Sequence, residues 1–187
     1  MGGGQKALLD LGTRPLLSFV LERLEPQVDV VALNANRDLD RYRAFGHPVL
    51  TDTMDDFPGP LAGVLTGMRW AEERGFTHIA SVAGDTPFFP NDLVARMEQA
   101  DAAIVLAATR DPERGVLRQP TFGLWPVNLA DDLEAALIDG TRKIVAWANR
   151  HGVAEVIYEP EPFDPFFNVN TPDDMAVALE YVETFGL

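Results

Sequence analysis

Two kinds of apolar pattern alternate along the chain. Short continuous apolar runs bounded by Gly or Pro predict buried strands, whereas apolar residues that recur every three or four positions predict helices. The clearest run covers residues 79–83 and ends at Gly84 and Asp85. Strands are predicted at residues 28–33, 49–51, 79–83, 102–108, 121–125 and 154–158. Helices are predicted at about residues 16–25, 39–45, 60–74, 90–97, 129–138, 144–150 and 172–185.

The order of these elements predicts the fold class. Strand, helix and strand in regular succession, joined by right-handed crossovers, build a doubly wound α/β fold in which a mostly parallel sheet is flanked by helices. At 187 residues the chain is long enough for one domain with a sizeable core. We therefore expect residues 1–187 to form a single α/β domain.

The last predicted helix carries a clear start signal. Thr171 suits the N-cap and Pro172 the first helical position, and Asp174 lies three residues after Thr171. This spacing is typical of a capping box. A helix is therefore expected to begin at Pro172.

Composition and charge narrow the function classes. With 15 basic and 29 acidic residues the formal net charge is −14, which disfavours nonspecific binding to nucleic acid or to anionic lipid. The absence of cysteine excludes disulfides, thiolate metal sites and cysteine nucleophiles. No apolar run has the length needed to span a bilayer, and residues 1–6 lack the apolar core of a signal peptide. We expect a cytoplasmic protein with no membrane or nucleic-acid partner.

Polar residues follow three of the predicted strands. Asn34 with Arg37 comes after the first, Asp52 after the second and Asp85 after the third. Taken alone, Asp85 could either cap the helix near Pro90 or contact a metal or ligand. Because parallel strands end at the same edge of a sheet, the three polar groups should converge in one crevice. This convergence favours Asp85 as a site residue.

The segment Gly2-Gly3-Gly4-Gln5-Lys6 has the composition of a phosphate-binding loop. Glycine lets backbone N–H groups approach an anion closely. The alternative is a disordered terminus. Lys6 is followed directly by the apolar residues Ala7-Leu8-Leu9, which favours an ordered loop.

Motifs in this order along the chain resemble those of the molybdenum cofactor guanylyltransferases, the MobA family. They are Gly2-Gly-Gly-Gln-Lys-Ala-Leu-Leu, Asn34-Ala-Asn-Arg, Asp52 with Phe57-Pro-Gly-Pro-Leu-Ala-Gly, Gly84-Asp-Thr-Pro, Gly140-Thr-Arg-Lys and Phe167-Asn-Val-Asn-Thr-Pro. The resemblance implies a Rossmann-like nucleotidyltransferase fold, with a nucleotide half at about 1–110 and an acceptor half at about 111–187. It also implies transfer of GMP from Mg²⁺-bound GTP to the phosphate of molybdopterin, with release of pyrophosphate.

The resemblance also implies roles for particular residues. The implied catalytic residues are Lys6 and Asp85, and the implied Mg²⁺ ligands are Asp85 and Asn170. GTP contacts are implied at Gly2, Gly3, Lys6, Asn34, Asp52, Gly63 and Asp85. Acceptor contacts are implied at Arg142, Lys143, Asn168 and Asn170. Transient contact with molybdoenzyme maturation proteins is a further implication.

Asp52 has a physical reason to select guanine. A carboxylate accepts two parallel hydrogen bonds, and guanine presents two adjacent donors, its N1–H and its exocyclic amine. Cytosine and adenine do not. The alternative for Asp52 is a solvated loop residue. Two other functions stay open: a related nucleotidyltransferase that uses CTP or a sugar-phosphate or phospholactate acceptor, and a nucleotide or pterin carrier without turnover.

The sequence departs from the family pattern at its start. The family's first strand and the Leu-Ala-Gly-Gly opening of its signature loop do not precede Met1, so the resemblance to that loop begins inside it. A doubly wound sheet without its central first strand would leave apolar neighbours unpaired. We therefore expect the gene product to be longer. Smaller departures are Gln5, where the family more often has an acidic residue, and Gln119, where a His is common.

Overall fold

A computed structural model describes residues 6–52 and 59–187, and within these ranges it places eight strands and seven α-helices. The strands are β1 (Asp10–Leu11), β2 (Arg14–Pro15), β3 (Leu33–Asn34), β4 (Val49–Leu50), β5 (His78–Ser81), β6 (Ile104–Asp111), β7 (Gly115–Pro126) and β8 (Val153–Tyr158). The α-helices are α1 (Leu16–Leu24), α2 (Leu39–Arg43), α3 (Pro60–Glu72), α4 (Leu93–Glu98), α5 (Ala130–Ile138), α6 (Ile144–Ala148) and α7 (Pro172–Phe185). Short 3₁₀ turns occur at Lys6–Leu8, Glu25–Gln27 and Val127–Leu129.

The main sheet confirms the predicted α/β class. Its strand order is β5-β7-β6-β8, and β6 is parallel to β8. Since β7 is antiparallel to both β5 and β6, the other three strands all run in one direction. The reversal arises in the tight connection from β6, where Asp111 accepts hydrogen bonds from the backbone N–H groups of Glu113 and Arg114, and Gly115 adopts a φ of 80°.

A groove separates the main sheet from the β3–β4 pair. β3 and β4 are parallel to each other, but among the described residues they form a sheet of their own. The groove has a volume of about 1420 Å³ and is lined by residues 28–37 on one side and 78–84 on the other. Its two walls carry apolar side chains of α1 and α3, including Leu17, Leu21 and Val64. Among the polar residues that line the groove, Asn34, Asn36 and Asp52 lie at the carboxyl ends of β3 and β4.

The predicted strand at 28–33 is shorter in the structure. Only Leu33 and Asn34 pair with β4, where Leu33 N–H donates to Pro48 O at 2.8 Å and Ala35 N–H to Leu50 O at 2.9 Å. The backbone of residues 28–32 makes no backbone hydrogen bond to another described residue. This segment lacks a regular strand because one of its edges faces the groove and β4 is only two residues long.

Apolar packing joins the two halves of the chain. One buried cluster contains Leu33 from the first half together with Tyr158 and Phe166 from the second. A second cluster packs α3 against α5 around the stacked rings of Trp125 and Trp147, whose centroids are 6.1 Å apart. No helix in the described part of the chain is both long and apolar enough to cross a membrane.

Candidate active site

Four polar side chains meet at the carboxyl ends of β3 and β4. Asn34 Nδ2 donates to Asp52 Oδ1 at 2.9 Å, and Asn36 Nδ2 donates to Asp52 Oδ2 at 2.7 Å. Asn36 Oδ1 also accepts a hydrogen bond from the Asp52 backbone N–H at 2.8 Å. Thr66 Oγ1 lies 3.4 Å from Asp52 Oδ1 and 3.0 Å from Ala62 O. Both carboxylate oxygens of Asp52 are therefore fixed by neighbours, and each keeps acceptor capacity for a ligand.

Gly63 allows the first turn of α3 to approach this cluster. A Cβ atom at residue 63 would lie 2.9 Å from Asn34 Oδ1 and 4.0 Å from Asp52 Oδ1. A contact under 3.0 Å requires the Asn34 side chain to move. The structure thus places Gly63 against Asn34 and Asp52, next to the position predicted for the nucleoside.

We expect Gly63→Ala to weaken GTP binding without unfolding the protein. The added methyl group displaces the Asn34 amide, whereas alanine raises the intrinsic helix propensity of α3 by roughly 1 kcal/mol over glycine. Calorimetry should show GTP affinity lowered by about tenfold, the size expected for one disturbed charge-assisted hydrogen bond. The Tm of the variant should equal or exceed that of the wild type. Unchanged GTP affinity would contradict the placement of Gly63 beside the nucleoside.

A second polar group surrounds the carboxyl end of β5. The Lys6 ammonium donates to Asn170 Oδ1, and Val169 N–H donates to the backbone carbonyl of Asp85 at 2.9 Å. Partial burial raises the pKa of the Asp85 carboxyl above its ordinary value, while hydrogen bonding to its backbone and the charge of Lys6 act in the opposite direction. The structure therefore brings together Lys6, Asp85 and Asn170, to which the resemblance assigns catalysis and Mg²⁺ binding.

The structure excludes the alternative that Asp85 caps the next helix. α4 begins at Leu93, and its N-cap position is occupied by Asp92. The connection from β5 to α4 is consequently longer than the sequence pattern indicated. β5 ends at Ser81, and Asp85 lies in the turn that follows it, on the side where the carboxyl ends of parallel strands form ligand sites.

The segment that carries Asn168 and Asn170 is anchored by the start of α7. Thr171 Oγ1 accepts from Asp174 N–H at 3.1 Å, and Asp174 Oδ2 accepts from the N–H groups of Thr171 and Asn170 at 2.8 and 2.9 Å. This is the predicted capping box, with Pro172 in the first turn. These hydrogen bonds lower the pKa of the Asp174 carboxyl. They also fix the backbone of Asn170 beside Lys6.

We expect Asp174→Ala to destabilise the fold in a pH-dependent way. The native pKa of Asp174 is below its ordinary value, so its contribution is complete above that value and is lost as the pH falls through the native pKa. At neutral pH the Tm of the variant should be about 3 °C lower. The difference from the wild type should shrink as the pH falls below the ordinary pKa of an aspartate, about 4. Thermal unfolding followed by circular dichroism measures both, and a pH-independent difference would contradict this role.

The oxygen atoms near Lys6 suit a cation that is coordinated partly by the protein and partly by a substrate. Among the described residues no group of three or more His, Asp and Glu side chains could hold a metal by itself. Asp85 offers a carboxylate, and Asn170 offers an amide oxygen. Mg²⁺ takes one or two protein carboxylates and completes its shell with water and substrate phosphates, so this small donor set fits it.

The other predicted site residues are Arg142, Lys143, Asn168, Gly2 and Gly3. Arg142 Nη1 donates to the backbone carbonyls of Leu137 and Thr141 at 2.8 and 2.9 Å. The first of these hydrogen bonds satisfies a carbonyl in the last turn of α5. Lys143 occupies the N-cap position of α6, and Asn168 is exposed. Gly2, Gly3 and the Phe57-Pro58 part of the Pro-Gly-Pro motif lie outside the described residues.

Asn36 and Thr66 contact Asp52 but were not assigned a role from the sequence. The signal for Asn36 is its spacing. Residues i and i+2 of an extended chain point to the same side, so Asn34 and Asn36 can reach one carboxylate. Thr66 is one turn of helix after Ala62 and has no such signal in the sequence.

The chain is similar in sequence to known nucleotidyltransferases. Residues 1–154 match the family model described as MobA-like NTP transferase domain. A molybdenum cofactor guanylyltransferase from Rhodopseudomonas palustris is 44% identical over 187 residues, which cover 95% of this chain and 86% of that relative. Another from Mesorhizobium japonicum is 42% identical over 191 residues, which cover 98% of this chain and 90% of that relative.

Solved structures share the fold. Molybdopterin-guanine dinucleotide biosynthesis protein A from Archaeoglobus fulgidus has a TM-score of 0.71 at 23% identity and covers 97% of this chain and 95% of its own. 2-C-methyl-D-erythritol 4-phosphate cytidylyltransferase from Thermus thermophilus has a TM-score of 0.73 at 19% identity, with coverage of 97% and 95%. Because the fold is common to enzymes named for different nucleotides, nucleotide choice has to be argued from side chains.

Proposed function

Because this chain belongs to the molybdenum cofactor guanylyltransferases, within the MobA-like NTP transferases, we propose that its polar strand ends form the GTP site of that enzyme. The enzyme transfers GMP from GTP to the phosphate of molybdopterin. The observation that supports the site assignment most strongly is the fixed carboxylate of Asp52, held on both oxygens by Asn34 and Asn36. It presents two acceptors in one plane to the two adjacent donors of guanine.

The reaction joins two anions, so charge compensation is the main demand on the site. A phosphate oxygen of molybdopterin attacks the α-phosphorus of GTP, and the bond from that phosphorus to the β-phosphate oxygen breaks as pyrophosphate leaves. We assign the Lys6 ammonium to the phosphates, where it reduces the repulsion between donor and acceptor. Its contact with Asn170 aims it at the end of β5.

We assign Asp85 and Asn170 as the protein ligands of Mg²⁺. Mg²⁺ bound there supplies positive charge that offsets the charge on the phosphates. Asp85 contributes the anionic ligand, and its partial burial strengthens the attraction between its carboxylate and a cation. Asn170, held by the capping box of α7, keeps its amide oxygen at the same place.

The acceptor side is assigned to the second half of the chain. Asn168 and Asn170 lie on the segment that docks on Asp85, and we propose Arg142 and Lys143 as cationic contacts for the anionic pterin. We propose that residues 1–187 act as one domain, since the first buried cluster contains residues of both halves. We further propose a cytoplasmic location and transient contact with molybdoenzyme maturation proteins.

Paired calorimetry with GTP and CTP tests the assignment of Asp52. The wild type should bind GTP at least about tenfold more tightly than CTP, since CTP cannot satisfy both carboxylate oxygens. Asp52→Asn replaces one acceptor by an amine that opposes the guanine donors, so this preference should be lost while triphosphate binding through Lys6 persists. Equal affinity of the wild type for the two nucleotides would overturn the assignment.

A further inference from the structure

Asn36 is bonded to Asp52 at two points. Its Nδ2 donates to the Asp52 carboxylate at 2.7 Å, and its Oδ1 accepts from the Asp52 backbone N–H at 2.8 Å. One amide group thus spans the side chain and the backbone of the same residue. This arrangement fixes the rotation of the carboxylate relative to the chain, in a way that a single hydrogen bond to either atom would not.

The two asparagines act from opposite sides of the carboxylate. Asn34 bonds Oδ1, and Asn36 bonds Oδ2. Asn34 also lies where a Cβ at Gly63 would meet it, which indicates that its position is tightly constrained. Asn34, Asn36 and Asp52 all line the groove and Asp52 is half-buried, so its carboxylate is accessible to a ligand in the groove.

We propose that Asn36 is a positioning residue for guanine selection: it holds the Asp52 carboxylate in the plane in which the carboxylate accepts from both N1–H and the exocyclic amine. The inference rests on the proposed role of Asp52 as the guanine contact. Without Asn36 the carboxylate can rotate, and a rotated carboxylate keeps one strong hydrogen bond but loses the second. Recognition of the exocyclic amine is therefore weakened.

Inosine triphosphate provides the matched probe, because it retains N1–H and lacks only the exocyclic amine. We expect the wild type to bind GTP about tenfold or more tightly than inosine triphosphate, the usual value of one hydrogen bond to a charged group. In Asn36→Ala, GTP affinity should fall about tenfold and the preference over inosine triphosphate should drop to about threefold or less. The kcat at saturating GTP should change by less than about twofold, because the reacting phosphates are assigned to Asp85 and Lys6 rather than to Asn36.

Asn36→Asp tests the same geometry with little change in volume. It replaces the donor facing Asp52 Oδ2 by an oxygen and places two carboxylates side by side, so its loss of GTP affinity should exceed that of Asn36→Ala. Asn128→Ala is the control, since the Asn128 side chain makes no hydrogen bond to another described residue and lies in the 3₁₀ turn before α5, where it lines a pocket separate from the groove that Asn36 and Asp52 line. It should bind both nucleotides as the wild type does.

The outcomes separate the inference from the proposed function. Equal binding of GTP and inosine triphosphate by the wild type would remove the guanine role of Asp52 and this inference with it. A wild type that discriminates, with an Asn36→Ala variant that discriminates equally well, would overturn the role of Asn36 alone. A variant that loses the same factor for both nucleotides would also overturn it, because that pattern indicates a general structural effect.

Discussion

Asp85→Asn is expected to abolish GMP transfer while leaving the fold intact. The substitution removes the anionic ligand proposed for the metal, which should lower kcat by on the order of 10²-fold or more. The pKa of Asp85 is raised because burial disfavours its charged form. A neutral amide of the same shape removes that cost, so the Tm of the variant should equal or exceed that of the wild type.

Asp92→Asn is the matched control for this experiment. It makes the same change of charge on the same connection between β5 and α4, but Asp92 is exposed and its side chain makes no capping hydrogen bond. Activity is measured as pyrophosphate released from GTP in the presence of molybdopterin, across a range of Mg²⁺ concentrations. The control should retain wild-type activity. Wild-type turnover and Mg²⁺ dependence in Asp85→Asn would show that the metal assignment is wrong.

The second large effect is expected from an added strand. The groove between residues 28–34 and 78–84 is lined by these two segments and by apolar side chains of α1 and α3. An extended apolar segment of about seven residues, hydrogen-bonded between the two edges, satisfies this environment. Ala7 lies beside the end of the 78–84 segment, because a Cβ at Gly84 would lie 3.2 Å from the Ala7 Cβ. We therefore expect the carboxyl end of the added strand near Ala7.

We therefore expect a seven-residue segment of valine and alanine, joined ahead of Met1, to stabilise the protein strongly. Each newly paired buried backbone group is worth roughly 1 kcal/mol, so several together should raise the Tm by about 10 °C or more. GTP affinity should rise as well, because the added strand fixes β3 and β5 relative to each other. A Gly-Ser segment of equal length is the control, since it lacks the side chains to fill the groove. Equal Tm values for the two extensions would contradict this account of the groove.

The sequence predicted much of the fold because its apolar patterns are local signals. The helices in the second half and the capping box at Thr171 follow from periodicity and from the chemistry of helix ends, whereas β7 begins six residues before the predicted strand at 121–125. Pairing is not a local property. The reversed direction of β7 depends on the tight turn after Asp111, and the short β1–β2 hairpin has no apolar run to indicate it.

The site was predictable to the extent that strand ends converge. Asn34 and Asp52 follow neighbouring parallel strands and are hydrogen-bonded to each other, as the geometry of parallel sheets predicts. The convergence of Asp85 with this pair stays a prediction. The partners of Asp52 were harder to find. Thr66 reaches Asp52 from a helix, and the contact of Asn170 with Lys6 joins residues 164 positions apart in the sequence. Such contacts depend on the packing of elements rather than on any one segment.

The most direct test of the central claim is the product of the reaction. The chain, with and without the valine-alanine extension, is incubated with Mg²⁺, molybdopterin and either GTP or CTP, and both pyrophosphate and the dinucleotide product are quantified. We predict one pyrophosphate and one guanine dinucleotide for each molybdopterin consumed, no release without the acceptor, and little or none with CTP. If both forms bind GTP and neither releases pyrophosphate, the protein acts as a carrier. That result would contradict the assignment as a guanylyltransferase.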